Sequence, residues 1–262
     1  MIPYLFHFGP FYFNMYGFCI ALGLIVFLWQ AGKDPLAKKY LKRDQLSQIV
    51  IFCVFAGIIG GRLANILQYP ADYPTWYDVI AIWDGGLSLG GAVLAVVIAL
   101  PLYLAWQRIA IVPVFDLAGI YGALLQAISR LGCFFAGCCH GYQTNVAWAI
   151  IYTHPDSRAL LHVPLHPSQL YSAATLFIIF LFIKFIARSH LAKPGQLTGL
   201  CLILTSLERF GNDFFRAEHY TEKHLFYNLI SQNQLLALIL FGLGILVFVI
   251  ASMARSQAYK KS

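Results

Sequence analysis

Long runs of apolar residues dominate the chain, and short polar segments separate them. Seven runs are long enough to cross the hydrocarbon core of a bilayer, which takes roughly 20 mostly apolar residues per helix. They cover residues 11–32, 46–68, 89–106, 113–137, 168–187, 196–215 and 234–252. Strands of a membrane barrel would instead alternate apolar and polar positions over segments of about ten residues. The pattern therefore predicts an all-α polytopic membrane protein with about seven transmembrane helices.

The composition excludes the main soluble classes. Hydrophobic residues make up 60% of the 262 residues and charged residues 11%, whereas a soluble domain typically carries about 45–50% apolar and about 25% charged residues. Disordered and collagen-like chains are excluded for the same reason, and six cysteines are too few for a disulfide-dense secreted scaffold. Without internal repeats or a soluble appendage, residues 1–262 are expected to form a single integral membrane domain.

Basic residues are distributed unevenly between the two sides of the predicted helices. Twelve lie in the segments on one side: Lys33, Lys38, Lys39, Lys42, Arg43, Arg108, Lys184, Arg188, Lys193, Arg255, Lys260 and Lys261. Three lie on the other side: Arg158, Arg216 and Lys223. Because cytoplasmic loops are enriched in Lys and Arg, this predicts an outside N-terminus and a cytoplasmic C-terminus. The net charge of +7 is therefore mostly a topology signal and gives no support to nucleic-acid binding.

Three arginines fall inside the predicted helices: Arg62, Arg130 and Arg209. A charge at mid-bilayer costs roughly 2.5–3.5 kcal/mol on insertion scales, so such residues are candidates for function. Their helices all run outward, which places them with Arg216, Tyr16 and His166 in the outer half of the membrane. The planar guanidinium group suits phosphate, so the group predicts a site for an anionic ligand. The alternative for each arginine is an interfacial position with its charge in water.

The sixth predicted helix carries Arg209, Asp213 and Arg216 at i, i+4 and i+7. This spacing places the three residues on one helix face. Asp213 is then expected to neutralise and orient Arg209 while leaving guanidinium donors free for a ligand. The alternative is a purely structural ion pair.

Three cysteines and a histidine occur within a short segment, at Cys133, Cys138, Cys139 and His140. Thiolate and imidazole groups bind zinc. However, adjacent cysteines such as Cys138 and Cys139 rarely bind one tetrahedral ion together, so no metal site is predicted. Because the segment is expected to face an oxidising compartment, a disulfide and free buried thiols remain the alternatives.

Several short motifs follow one another in a specific order. They are Tyr16-Gly17, Gly60-Gly61-Arg62, Trp83-Asp84-Gly85-Gly86, Arg130-Leu131-Gly132, His166-Pro167-Ser168-Gln169-Leu170-Tyr171 and Arg209 through Arg216. From about residue 10 to 250, the chain resembles the bacterial prolipoprotein diacylglyceryl transferase family. The resemblance implies a seven-helix inner-membrane fold with the active site toward the periplasm. It also implies the transfer of the diacylglyceryl group of phosphatidylglycerol to the lipobox cysteine of a preprolipoprotein. A thioether forms, glycerol-1-phosphate leaves, and no cofactor is needed.

The resemblance also assigns roles to individual residues. Arg130 and Arg209 resemble the family's essential arginines around the phosphatidylglycerol head group. Tyr16 resembles its tyrosine in the first helix, Gly141 its glycine after the arginine motif, and Asp213 its acidic partner in the sixth helix. The expected substrate-binding residues are therefore Arg62, Arg130, Gly141, Arg209, Asp213 and Arg216.

The chain departs from the family pattern at several positions. The family usually has His-Gly-Gly where this chain has Leu89–Gly91, a frequent asparagine is Cys133, and a frequent glutamate is Ser172. These changes indicate a divergent member or paralogue. His140 and His166 are the available replacements for the missing histidine. We expect His140 to accept the thiol proton and His166 to order the site, which adds both to the catalytic set of Arg130, Arg209 and Tyr16.

Asp116 resembles an acidic position in the family's fourth helix, and its predicted depth near the cytoplasmic side indicates a structural role. Two other classes of function use the same residues. A transporter or a non-catalytic anionic-phospholipid-binding paralogue would hold the head group with the arginines, but transport would favour repeated halves, which are absent. A thiol-redox membrane protein would use the cysteines of the segment 133–139, but this segment lacks Cys-x-x-Cys.

Overall fold

The computed structural model describes residues 4–8, 11–82, 85–217 and 230–254, and most of them are helical. The helices are α1 (Met15–Gly32), α2 (Pro35–Tyr40), α3 (Gln45–Gln68), α4 (Trp76–Ile80), α5 (Leu89–Trp106), α6 (Ile111–Ala136), α7 (Ser168–His190), α8 (Gln196–Asp213) and α9 (Gln232–Met253). The strands are β1 (Tyr4–Phe8), β2 (Phe11–Asn14), β3 (Ile150–Ile151) and β4 (Pro164–Leu165). The segment Phe182–Ala187 of α7 is π-helical.

Six helices in the described ranges are long and apolar enough to cross a membrane: α1, α3, α5, α6, α7 and α9. The protein is therefore a multi-pass membrane protein, and the predicted fold class is confirmed. The seventh predicted span is also a helix, α8, but it carries Glu208, Arg209 and Asp213 within its 18 residues. That charge content separates α8 from the other six. The predicted orientation of the termini stays a prediction.

Short strands replace part of the predicted helical structure. Residues 11–14, expected at the start of the first span, form β2 and pair antiparallel with β1. A second pair, β3 with β4, lies in the connection between α6 and α7. Strands this short lack the length over which alternation of polar and apolar positions becomes readable.

The described residues group into two compact units. One unit is Gly32–Ile111, and the other combines Met1–Ala31 with Val112–Ser262. The single integral domain expected from the sequence stays a prediction. Some residues used above lie outside the described residues: Trp83, Asp84, Lys223, Arg255, Lys260 and Lys261.

Within the unit Gly32–Ile111, α3 and α5 pack closely through small residues. A Cβ added at Gly60 would lie 2.1 Å from the Cβ of Ala95, and one at Gly91 would lie 2.2 Å from the Cβ of Ala64. Glycine allows this approach because it has no side chain to separate the two helices.

Close helix contacts also build the other unit. A Cβ at Gly132 in α6 would lie 3.0 Å from the Cα of Tyr16 in α1. A Cβ at Gly199 in α8 would lie 2.7 Å from the backbone nitrogen of Phe248 in α9. Gly244 makes a similar approach from α9 to α8. The helices that carry the candidate site residues are therefore held backbone to backbone.

Asp116 joins α6 to the start of α8. Its side chain is fully buried, and its carboxylate accepts hydrogen bonds from Gly195 N (2.7 Å), Thr198 N (2.8 Å) and Thr198 Oγ1 (2.7 Å). The residue before α8, Gly195, has no side chain that could cap the helix. The carboxylate of Asp116 satisfies the free N–H groups instead and favours the positive end of the helix dipole. This is a structural role.

Candidate active site

Three of the predicted arginines lie in the same unit. Arg130 is in the last two turns of α6, Arg209 is in the last two turns of α8, and Arg216 follows the end of α8. Arg216 is only 4% exposed, and the other two are half-buried. Arg209 interacts electrostatically with both Arg216 and Arg130. The structure thus gathers three guanidinium groups into one positively charged region, which an anion would stabilise.

The start of α9 orients the charged face of α8. Arg209 Nη2 donates to Asn233 Oδ1 at 3.0 Å. Asp213 is fully buried, and its Oδ2 accepts from Ser231 Oγ at 2.6 Å. Asp213 also attracts Arg209 electrostatically. The role of Asp213 in neutralising Arg209 stays a prediction, and the hydrogen bond that orients Arg209 comes from Asn233, which the sequence analysis missed.

Glu208 is a second residue that the sequence analysis missed. Its Oε1 accepts a hydrogen bond from Ser172 Oγ at 2.5 Å, and its carboxylate interacts electrostatically with all three arginines of the region. Ser172 stands where the resembled family frequently has a glutamate. In this chain Ser172 instead contacts the carboxylate of Glu208 in α8. The sequence signal that could have identified Glu208 was the presence of an acidic residue inside the apolar run 196–215.

Tyr16 lies in α1, at the close approach of α1 to Gly132. Its side chain is 38% exposed and interacts electrostatically with Cys133 and Arg130. The structure therefore brings Tyr16 into the neighbourhood of the α6 arginine.

Gly141 lies in a backbone arrangement that we call the backbone clasp, in which the segment 140–142 pairs with segments 164–166 and 215–217. Gly141 and Arg216 form an antiparallel bridge within it. Four backbone hydrogen bonds hold it: Gly141 N to His166 O (2.9 Å), His166 N to Tyr142 O (3.0 Å), Tyr142 N to Phe215 O (3.1 Å) and Ala217 N to His140 O (3.1 Å). The clasp ties together the segment after α6, the segment before α7 and the segment after α8.

Only glycine fits at position 141. A Cβ there would lie 2.4 Å from the Cβ of His166 and 2.6 Å from the carbonyl oxygen of Phe215. Both atoms belong to the backbone or to its first side-chain carbon, so neither can move away without opening the clasp.

His166 is held by a chain of hydrogen bonds. Trp148 Nε1 donates to the Tyr171 hydroxyl at 2.6 Å, which in turn lies 3.1 Å from His166 Nδ1. The Tyr171 hydroxyl thus links Trp148 to His166, and which atom donates to the other at His166 Nδ1 depends on the tautomer of the imidazole. Burial lowers the pKa of His166 below its ordinary value of 6.5, which favours a neutral, ordering imidazole.

His140 has a different arrangement. Its Nδ1 lies 2.9 Å from the carbonyl oxygen of Gly141. A carbonyl oxygen only accepts hydrogen bonds, so Nδ1 carries the proton and Nε2 of the neutral ring carries the lone pair. The ring is half-buried at the edge of the backbone clasp.

The three cysteines of the segment 133–139 meet. The sulfur atoms of Cys133, Cys138 and Cys139 all lie within 4.8 Å of one another, and the thiols are free. We call this group the thiol cluster. The neighbouring Cys133 and Cys138 thiols hold the pKa of Cys139 below its usual range, whereas the Cys133 and Cys139 thiols raise the pKa of Cys138.

Arg62 belongs to the unit Gly32–Ile111, where backbone carbonyls surround its guanidinium. Nε donates to Val79 O at 3.0 Å, Nη1 to Gly85 O at 2.5 Å and Gly86 O at 3.1 Å, and Nη2 to Ala81 O at 3.0 Å. A further bond joins Nη2 to the carbonyl of Asp78. These contacts fix the loop after α3 to that helix. They give Arg62 a structural role, and its predicted part in substrate binding stays a prediction.

The gathered arginines, a carboxylate and an oriented imidazole form a site able to hold a phosphate and accept a proton. Comparison with known proteins shows which family the chain is similar to. A family model described as prolipoprotein diacylglyceryl transferase matches residues 3–250. Similar relatives named phosphatidylglycerol–prolipoprotein diacylglyceryl transferase come from Geobacter sulfurreducens (31% identical, 95% of this chain and 95% of the relative) and Oleidesulfovibrio alaskensis (30%, 99% and 97%). A third, from Erythrobacter litoralis, is 29% identical over 96% of this chain and 91% of its own length.

The family match covers almost the whole chain and includes both compact units. The resemblance seen in the sequence motifs is therefore confirmed. The chain belongs to the prolipoprotein diacylglyceryl transferase family.

Proposed function

We propose that this protein transfers the diacylglyceryl group of phosphatidylglycerol to the lipobox cysteine of a preprolipoprotein. The observation that carries the proposal is the meeting of Arg130, Arg209 and Arg216 in one unit. The names of its relatives, which are phosphatidylglycerol–prolipoprotein diacylglyceryl transferases, support the same reaction.

The reaction exchanges one bond at a glycerol carbon. The lipobox thiolate attacks the carbon that bears the phosphate ester, a C–S bond forms, and the C–O bond breaks. The electron pair of the broken bond stays with the phosphate, and glycerol-1-phosphate leaves. No oxidation or reduction occurs, and the chemistry needs no cofactor.

The arginines act on the leaving group. Negative charge grows on the phosphate as the C–O bond breaks, and preorganised donors in a water-poor site stabilise such charge most effectively. Asn233 keeps Arg209 in a fixed orientation through a 3.0 Å hydrogen bond, so less reorganisation is needed at the moment of reaction. Removing one such donor costs about 10²–10³ in turnover in well-studied enzymes.

The nucleophile must lose a proton, because a free thiol has a pKa of about 8.5. His140 is the proposed acceptor: the contact of its Nδ1 with a carbonyl leaves Nε2 free to take the proton. His166 orders the neighbouring backbone and keeps its own ring neutral. Tyr16 and Gly141 complete the proposed site, Tyr16 beside α6 and Gly141 inside the backbone clasp.

The proposed setting is the bacterial inner membrane, with the arginine region toward the periplasm. The uneven distribution of Lys and Arg supports this orientation. Phosphatidylglycerol would then reach the site from the surrounding lipid, and the preprolipoprotein would present its lipobox cysteine at the outer surface.

The decisive experiment incubates purified protein with phosphatidylglycerol and a lipobox peptide. We expect a diacylglyceryl thioether and glycerol-1-phosphate, each detected by mass spectrometry. Replacing Arg130 or Arg209 by Gln should lower turnover by about 10²–10³, while Arg158→Gln, at an exposed arginine of the same unit, should leave it unchanged. Phospholipid binding without product would contradict the proposal and favour a lipid-binding or transport paralogue.

A second experiment tests the proton acceptor. His140→Gln should lower turnover most at low pH, where little lipobox thiol ionises on its own, and the difference should shrink as the pH approaches 9. An unchanged rate between about pH 6 and 9 would remove His140 from the mechanism.

A further inference from the structure

The proposed reaction leaves the thiol cluster without a role. Its three sulfur atoms lie within 4.8 Å of one another. Three sulfurs bound to one ion at about 2.3 Å each lie roughly 3.8–4.0 Å apart. Shifts of no more than about 1 Å would therefore bring the thiols to the spacing that a shared metal ion requires.

The backbone explains how adjacent cysteines can point to one centre. Gly137 and Cys139 both have left-handed backbone conformations, with φ of 75° and 58°. These turns fold the chain back over the end of α6. Two side chains then fix the turn: Gln169 Nε2 donates to Cys138 O at 2.8 Å, and Ser168 Oγ donates to Cys139 O at 2.8 Å. Both donors are almost completely buried, so the cluster is built on a rigid base.

The surroundings suit a charged thiolate centre. Arg216 and Arg130 both interact electrostatically with Cys139, and their positive charge offsets that of metal-bound thiolates. Cys133 is 7% exposed, whereas Cys138 and Cys139 are half-buried. The cluster is thus shielded from solvent at Cys133 and accessible to solvent at Cys138 and Cys139.

We propose that Cys133, Cys138 and Cys139 form a binding site for one thiophilic metal ion, Cu⁺ or Zn²⁺. Soft thiolate ligands select these ions. On binding, each thiol releases its proton to solvent, and neither sulfur nor metal changes oxidation state. Within the described ranges the grouped ligands are these three thiols. Cu⁺ would therefore be three-coordinate, and Zn²⁺ would take water as a fourth ligand.

The bound ion would join the end of α6 to the turn that leads into the backbone clasp. In the sequence, the adjacency of Cys138 and Cys139 argued against zinc. In the structure, the sulfur atoms of these two residues nevertheless lie within 4.8 Å of each other and of Cys133. The proposal does not depend on the transferase reaction, because binding is measured without lipid or peptide.

The test uses the full chain in detergent, reduced and free of oxygen. Zn²⁺ is titrated against a chelator, and Cu⁺ against bicinchoninate. We expect one ion per chain, with three sulfur neighbours by X-ray absorption and, for Zn²⁺ alone, an additional oxygen neighbour. Cys138→Ser and Cys139→Ser should weaken binding by more than about 100-fold, since loss of even an outer-shell partner typically costs 10–100-fold. Cys53→Ser, in the other unit, is the matched control and should bind normally.

Thermal unfolding gives a second measurement. The ion should raise the Tm of the unmodified protein and of the Cys53→Ser variant, but not that of Cys139→Ser. Three results would each overturn the proposal: no stoichiometric binding by the unmodified protein, binding that survives both serine substitutions, or a disulfide within the cluster in protein taken directly from the membrane. Since X-ray absorption is measured on the unmodified protein, a variant that fails to fold does not remove the test.

Discussion

The carboxylate of Asp116 offers a direct test of how the site is supported. It accepts three hydrogen bonds of 2.7–2.8 Å from Gly195 and Thr198 at the start of α8. Asp116→Ala removes all three and leaves two backbone N–H groups unsatisfied at a helix end. Asp116→Asn keeps one acceptor oxygen but turns an NH₂ group toward an N–H donor.

The expected cost follows from these contacts. A hydrogen bond to a charged group contributes about 1.5–3 kcal/mol, and neighbouring bonds are not additive. We therefore expect a loss of about 3–5 kcal/mol for Asp116→Ala. The loss of unfolding free energy for Asp116→Asn should be about 1–3 kcal/mol, because the helix cap is weakened but one acceptor oxygen remains. In a chain of this size, 1 kcal/mol corresponds to a Tm shift of roughly 2–4 °C, so the alanine variant should unfold roughly 6–20 °C earlier.

The assay is thermal unfolding of detergent-purified protein, combined with turnover at a temperature well below the transition. Asp156→Asn is the control, because Asp156 is 57% exposed and its replacement should change stability by less than about 0.5 kcal/mol. Turnover at low temperature should fall far less than in Arg209→Gln, since Asp116 positions α8 rather than contacting substrate. A normal Tm with lost turnover would refute the structural role, and so would a Tm of Asp116→Ala equal to that of the control.

Three further substitutions test other parts of the structure. Gly141→Ala should lower turnover by at least about tenfold, because the new Cβ opens the backbone clasp; Gly122→Ala, where nothing lies within 4 Å, should leave turnover intact. Arg62→Lys replaces a five-donor fork by three donors, so hydrogen exchange in residues 69–82 should accelerate; unchanged exchange with a raised KM for phosphatidylglycerol would instead favour a substrate contact. His166 binds its proton more readily in the unfolded chain, since its folded pKa lies below 6.5. Stability is therefore lost as the pH falls below about 6.5, and the Tm should drop further between pH 7.5 and 5.5 than in His166→Gln; equal drops would contradict the assignment.

The membrane helices could be predicted from the sequence because the thickness of the bilayer sets the length of a spanning helix. The prediction was less accurate where tertiary contacts compete with the local preference for a helix. The segment 11–14 is apolar enough for a helix but pairs as a strand with β1. Helix α8 forms although its charges lower its hydropathy, because packing against α9 and the Asp116 cap support it.

The candidate site was predicted in part. Arg130 and Arg209 are apparent from charges in apolar runs and from the motifs around them. Asn233 and Glu208 were missed because their roles arise from contacts between helices: Asn233 meets Arg209 across 24 residues, and Glu208 meets Ser172 across 36. No local pattern encodes such pairs.

The same limit applies to Arg62 and to the thiol cluster. The carbonyls that surround Arg62 lie 16–24 residues further along the chain, in a loop whose path the sequence does not reveal. The cluster depends on a positive φ at Cys139, which is uncommon for a residue other than glycine. Spacing alone therefore does not reveal that the three sulfur atoms meet.

The backbone clasp has a consequence for how this family can change. Main-chain amides are chemically identical whatever side chain they carry, so three segments joined through them keep their alignment when the side chains are replaced. Position 141 is different, since even one added methyl group collides with the adjoining segments. Redesign for another phospholipid would therefore begin with the side chains around this glycine and leave the glycine itself in place.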